Sequence, residues 1–135
     1  MAKNIQDIEG IGPAFGEKLA AAGIKTVEAL LENGCDKKGR KAIAAETGID
    51  ESKILTWVNM ADLFRINGVA SQFAELLKAS GVDTVKELRN RNAENLHAKL
   101  EEVNAEKKLT RVVPALSKVQ DFIEQAKGLE PMVTH

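Results

Sequence analysis

Apolar residues recur along this chain at helical spacing and nowhere alternate with polar ones over a strand's length, so helices are expected throughout and strands nowhere. Pro13 to Ala22 sets Ala14, Phe15, Leu19 and Ala22 at helical spacing. Pro13 stands at the first position, where a missing N–H costs nothing, and Gly23 sits where a left-handed cap belongs, with Ile24 as its apolar contact. Short leading helices are expected around Ile5–Ile8 and Ala61–Ile66. Thr26 and Thr84 read as N-caps, and Thr84-x-x-Glu87 as a capping box. Further helices are expected over Lys37–Thr47 and Ala93–Asn104. Within Glu51–Phe64, the residues Ile54, Leu55, Trp57, Val58, Met60, Ala61, Leu63 and Phe64 cover far more than one stripe, which is the pattern of a helix buried on most sides. The expectation is an all-α protein of about eight to nine short helices.

The pattern also repeats. Ile8 to Leu30 aligns without a gap on Ile66 to Leu88 at an offset of 58. Identical pairs are Ile8/Ile66, Gly10/Gly68, Phe15/Phe73, Glu17/Glu75, Leu19/Leu77, Ala21/Ala79, Gly23/Gly81, Thr26/Thr84, Val27/Val85 and Leu30/Leu88. Most are apolar or turn-forming, the residues that specify a fold, so the chain reads as a compact tandem duplication. The expected organisation is a first unit over 1–64, a second over 65–128 and an irregular tail over 129–135, packed together through a shared helix at 51–66. No Gly/Ser- or Pro-rich linker separates the halves. Phe15, Phe73 and Trp57 are expected in the core.

The chemistry this pattern offers is concentrated in Gly10-Ile11-Gly12 and its counterpart Gly68-Val69-Ala70. Two glycines around an apolar residue permit a tight turn with positive φ and leave backbone N–H groups bare at the start of the next helix. The apolar residue anchors the turn from inside, and the amides make an anion site suited to a nucleic-acid phosphate, contacted without reading bases. Ala70 in place of the second glycine puts the geometry of the second turn in question. A fourth turn near Asn104-Ala105-Glu106-Lys107 has no glycine, and Glu9 and Glu17 flank the first turn with the wrong sign for phosphate. Lys18 is the nearest compensating charge, and Lys37, Lys38, Arg40 and Lys41 form the densest positive run.

Gly10-Ile11-Gly12-x-x-x-Gly16-x-x-Leu19 resembles the signature of the helix-hairpin-helix superfamily. The run from Ile8 to Ile54, with Thr47-Gly48-Ile49-Asp50 as a second turn, is similar to the N-terminal domain of strand-exchange recombinases. The full pattern, including Asn95-Leu96-His97-Ala98-Lys99-Leu100, looks like a family of small bacterial proteins called a domain of unknown function. The resemblance implies a SAM-like, recombinase-N-terminal-like helical bundle.

Composition narrows the function. With 19 Lys and Arg against 20 Asp and Glu, the chain carries a formal charge of −1, without the strongly basic surface that gives most free-standing nucleic-acid binders their affinity. Residues 1–64 hold 8 basic and 10 acidic residues and 65–135 hold 11 and 10, too small an asymmetry to polarise the molecule. Arg89, Arg91, Lys107, Lys108 and Arg111 form a looser basic set in the second half. One Cys, Cys35, allows neither an internal disulfide nor a cysteine zinc site. The opening Met1-Ala2-Lys3-Asn4 does not read as a leader, and no apolar run spans a membrane, so a cytoplasmic protein is expected. His97 has no triad context, His135 is terminal, and Glu101-Glu102 face different directions on a helix, so an enzyme is not expected, nor a cofactor, a metal or a small-molecule substrate. The expected function is weak, sequence-independent DNA binding through Gly10, Ile11 and Gly12, with Gly68, Val69 and Ala70 in the second copy, supported by Lys18, Lys37, Lys38, Arg40 and Lys41. The alternative is a protein–protein adaptor that keeps the fold without DNA contact.

Overall fold

Pro13 opens the first long helix as its sequence position demands, and the rest of the chain follows the same local rules. A computed structural model describes residues 4–8 and 10–134; Met1, Ala2, Lys3, Glu9 and His135 lie outside the described residues. Among the described residues a single 3-10 turn at Ile5–Asp7 is followed by eight helices: α1 Pro13–Ala21, α2 Val27–Gly34, α3 Lys37–Thr47, α4 Glu51–Leu63, α5 Ser71–Ala79, α6 Val85–Arg89, α7 Ala93–Lys107 and α8 Leu116–Lys127. Among the described residues there is no strand, only an isolated bridge between Asn4 and Thr26. The protein is all-α.

The chain divides into two compact units, Met1–Asp62 with Met132–His135, and Leu63–Pro131. In the first, α2 packs on α3, and α1 packs on α3 and on the 3-10 turn. In the second, α8 packs on α6 and α7, and α5 on α7. Ile8, Leu19, Leu30, Ile54 and Val58 are buried in the first unit, and Ile66, Leu77, Leu88, Val119 and Phe122 in the second.

The helix ends repeat to the hydrogen bond. Gly23 and Gly81 take φ of 87° and 94°. Behind them, Ile24 N–H donates to Leu19 C=O at 2.8 Å and Val82 N–H to Leu77 C=O at 2.8 Å, while Gly23 donates to Ala20 and Gly81 to Lys78, both at 3.0 Å. This is the Schellman arrangement, which satisfies carbonyls that a helix C-terminus leaves orphaned. Thr26 caps α2 by accepting from Ala29 N–H at 3.0 Å. Thr84 departs from the expected capping box: its hydroxyl donates to the Glu87 carboxylate and accepts no backbone N–H. A carboxylate is a stronger acceptor for the hydroxyl proton than water, so the two side chains of the box close on each other.

The correspondence of the units extends further than the 58-residue alignment. Beyond α7 the offset becomes 65: Ser52/Ser117, Lys53/Lys118, Ile54/Val119, Trp57/Phe122, Val58/Ile123 and Ala61/Ala126. Helix α8 is therefore the counterpart of α4, an element that the 58-residue periodicity does not reveal. Helix α7 starts two residues earlier in the repeat than α3 and is four residues longer, and the segment 108–115 replaces the three-residue connection 48–50, which leaves a net gain of seven residues. The turn expected near Asn104-Ala105-Glu106-Lys107 lies within α7 up to Lys107, and the left-handed cap falls on Lys108 at φ 51°, where the first unit uses Gly48 at φ 73°.

The tail is irregular and docked. Val133 is buried, Thr134 N–H donates to Cys35 C=O at 2.8 Å, and Arg40 Nη2 donates to Thr134 C=O at 2.7 Å.

Candidate functional site

The two glycine turns are superimposable in kind. Gly10 and Gly68 take φ of 95° and 97°, a region that only glycine occupies at little cost. Ile11 and Val69 are buried and their neighbours on either side exposed, as expected of inward anchors. Their own N–H groups are spent: Ile11 donates to Ile8 C=O and Val69 to Ile66 C=O, both at 3.1 Å. Ile11 and Val69 therefore shape the turn and offer no amide to a ligand, which corrects their place among the phosphate contacts.

The exposed amides lie one step further on. At the start of α1, the N–H groups of Gly12, Ala14 and Phe15 have no acceptor among the described residues, Pro13 having none to donate. At the start of α5, those of Ala70, Ser71, Gln72 and Phe73 are in the same position, and Ser71 Oγ has no hydrogen-bond partner among the described residues. Neither N-cap supplies a side chain to them, since one is Gly12 and the other Ala70. Unsatisfied first-turn amides carry the positive end of the helix dipole, which favours an anion.

Ala70 does not disturb the turn. Gly12 lies at φ −85°, ψ −173° and Ala70 at φ −105°, ψ −175°, extended backbone that any residue adopts. A Cβ built on Gly12 meets nothing within 4 Å. Gly12 is thus not required by the fold, and what distinguishes it from Ala70 is the bare approach it leaves to the amides.

Two lysines that sequence reading passed over complete the arrangement. Phe15 packs on Trp57 with ring centroids 5.2 Å apart, and Phe73 on Phe122 at 6.4 Å, both tilted. Phe15 and Phe73 are half-buried rather than core, because they close the turn against the last helix of each unit, while Trp57 is buried. Lys18 Nζ and Lys53 Nζ lie 5.9 and 5.8 Å from the Phe15 ring centroid, within cation–π range. In the second unit Lys118 Nζ is 3.8 Å from the position a Gly68 Cβ would take. Lys53 and Lys118 are counterparts at the 65-residue offset, so each turn carries an exposed ammonium from the same place on the closing helix. That offset is the signal that would have found them.

The Lys37–Lys41 run does not join this arrangement. Lys18 lines a cleft with Ala21, Ala22 and Glu46, near the C-terminal end of α3. Lys37 and Lys38 stand in the first turn of that helix, roughly 12 Å away along its axis at 1.5 Å per residue. Lys37, Lys38 and Lys41 are exposed. Arg40 is 4% exposed and donates to Gly34 C=O at 2.9 Å and Thr134 C=O at 2.7 Å, so it is a structural residue and leaves the positive run. Asp36 caps the helix by accepting from Gly39 N–H at 2.7 Å, offsetting the lysines that oppose the dipole. Glu9 lies outside the described residues, and Glu17 is exposed on α1.

Among the described residues no group of acidic, His and Cys side chains is arranged to hold a metal ion, and no helix is long and apolar enough to cross a membrane. His97 pairs with Glu101 at 3.1 Å along α7, and Cys35 Sγ donates to Glu32 C=O at 3.5 Å.

The family described as Domain of unknown function (DUF4332) matches residues 9–129, from the first glycine turn past the end of α8, and the chain belongs to it. No curated protein and no solved structure matches the chain.

Proposed function

We propose that this member of the family is a non-catalytic binding module whose two glycine turns are helix-hairpin-helix units contacting the phosphate backbone of DNA without regard to sequence. The observation that carries the reading is the recurrence of one assembly in both units: amides at the head of a helix with no acceptor among the described residues, an aromatic pair behind the turn, and an exposed lysine from the closing helix. A phosphate oxygen at the first-turn amides accepts hydrogen bonds there while Lys53 or Lys118 supplies charge, with Lys18 adding to the first site. Lys37, Lys38 and Lys41 serve as a separate steering patch for the polyanion. Contacts made through backbone amides need little net charge, so a formal charge of −1 is compatible with binding and keeps it weak.

Fluorescence anisotropy with a labelled duplex at low salt, followed by a salt titration, tests this. Log K is expected to fall linearly with log salt, and Lys18, Lys53 and Lys118 changed together to Ala to lower the slope by about 2 to 3, near 0.9 per phosphate released. Absence of binding at low salt overturns the reading and favours a protein–protein adaptor on the same scaffold.

A further inference from the structure

The second unit carries one feature that the first lacks. The first unit joins its third and fourth helices with three residues, 48–50, and buries its core; the second spends 108–115 on the same connection. The added segment contains Val112, the one large hydrophobic side chain among the described residues that is strongly exposed, at 72%. Around it Lys107, Lys108 and Arg111 are exposed as well.

The segment is held in shape. Asn104 grips the backbone of Thr110 from both sides, its Nδ2 donating to Thr110 C=O at 3.0 Å and its Oδ1 accepting from Thr110 N–H at 2.9 Å. Thr110 Oγ1 donates to Val112 C=O at 2.8 Å, and Lys108 N–H closes α7 on Asn104 C=O at 2.8 Å. Lys108 adopts φ 51° to make that turn, at a cost that glycine would avoid. A hydrogen-bonded segment that holds a valine in water, with exposed cations at 107, 108 and 111 of the same segment, fits a ligand that is anionic on its edges and apolar between them.

We propose that the segment 107–112 is a second nucleic-acid contact, with Val112 set into a groove against base edges and Lys107, Lys108 and Arg111 on the flanking phosphates. This rests on the DNA reading above and deepens it. A protein pocket would call for a contiguous apolar patch of a few hundred Å² rather than one valine, and one valine is far too little to anchor on a lipid surface. A duplex offers phosphates around a groove whose base edges accept small apolar side chains, which suits one valine among three cations.

Anisotropy on the full chain with a labelled duplex and with heparin, a polyanion without bases, tests the proposal. Lys107→Ala, Lys108→Ala and Arg111→Ala combined are expected to lower the duplex salt slope by about 2 to 3. Val112→Ala is expected to weaken duplex binding about fivefold to tenfold with the slope unchanged, since an apolar contact releases no counterion, and to leave heparin binding as it was. All four side chains are exposed, so circular dichroism should be unchanged in both variants. A duplex slope that drops in the Lys18/Lys53/Lys118 variant but not in the loop variant overturns this proposal and spares the turns. Equal loss on duplex and heparin in Val112→Ala, or no loss on either, overturns the groove contact. A wild-type chain that binds no duplex overturns both readings.

Discussion

Gly10 and Gly12 look alike in the sequence and do different work. Gly10 is held at φ 95° with Trp57 Nε1 3.4 Å from where a Cβ would stand, whereas Gly12 is extended with open space beside it. Gly10→Ala is expected to destabilise the chain by about 1–2 kcal/mol, the cost of a side chain in the left-handed region. Gly12→Ala should be neutral or stabilising by up to about 1 kcal/mol, because it restricts the unfolded chain. Urea denaturation measures both, and a large loss for Gly12→Ala would contradict the geometry. The same methyl should weaken DNA binding if phosphate approaches the bare backbone. Arg40 gives a parallel contrast with its neighbours. Arg40→Ala strands the buried carbonyl of Gly34 and removes the donor to Thr134 C=O, and is expected to cost about 1–3 kcal/mol. Lys37→Ala and Lys38→Ala, on the surface, should stay within about 0.5 kcal/mol.

At the scale of elements, α4 and α8 close their units through the same register of side chains. Phe122 is 1% exposed and supports both Phe73 and the Gly68 turn, whose Cβ position lies 3.1 Å from its Cε1. Phe122→Ala is expected to cost about 3–5 kcal/mol, as large-to-small changes at buried aromatic sites do, and thermal unfolding followed by circular dichroism would show it. The head of α4 is also a pH-dependent element. Ser52 donates both its hydroxyl, at 2.9 Å, and its N–H, at 3.3 Å, to the Asp50 carboxylate. The side-chain bond and then the backbone bond from Ser52 hold the Asp50 carboxyl below its ordinary value, against an opposing effect of desolvation that exceeds the further lowering by the Lys53 charge. A depressed carboxyl contributes stability that is fully present above its unfolded-state pKa and is lost as pH falls through the folded one. Asp50→Asn should therefore make the acid limb of the stability profile shallower without altering stability's slope near neutrality.

For the whole molecule, legibility and its limits follow from range. Helix starts and ends depend on a few adjacent residues, so Pro13, Gly23, Thr26 and the 58-residue repeat were readable directly from the order of amino acids. The eighth helix was not, because seven added residues shift its register and its apolar positions match α4 only once that shift is known. The candidate site was legible in part. The turn and its inward anchors were visible in the spacing, but the amides without an acceptor among the described residues lie at Gly12, Ala14 and Phe15 rather than at Ile11. A salt titration comparing the turn lysines with the Lys37, Lys38 and Lys41 patch separates the two surfaces: loss of slope in the first set alone would assign phosphate contact to the turns.

What the sequence determined by itself was the all-α class, the duplication and the position of each glycine turn, since these rest on backbone preferences and periodicity that act over a few residues. Tertiary structure decided which charges are available. Burial took Arg40 out of the positive run, the packing of α4 and α8 brought Lys53 and Lys118 to the turns, and the clamp from Asn104 left Val112 standing in water. Such outcomes depend on segments that meet only when the chain folds, and no local pattern carries them.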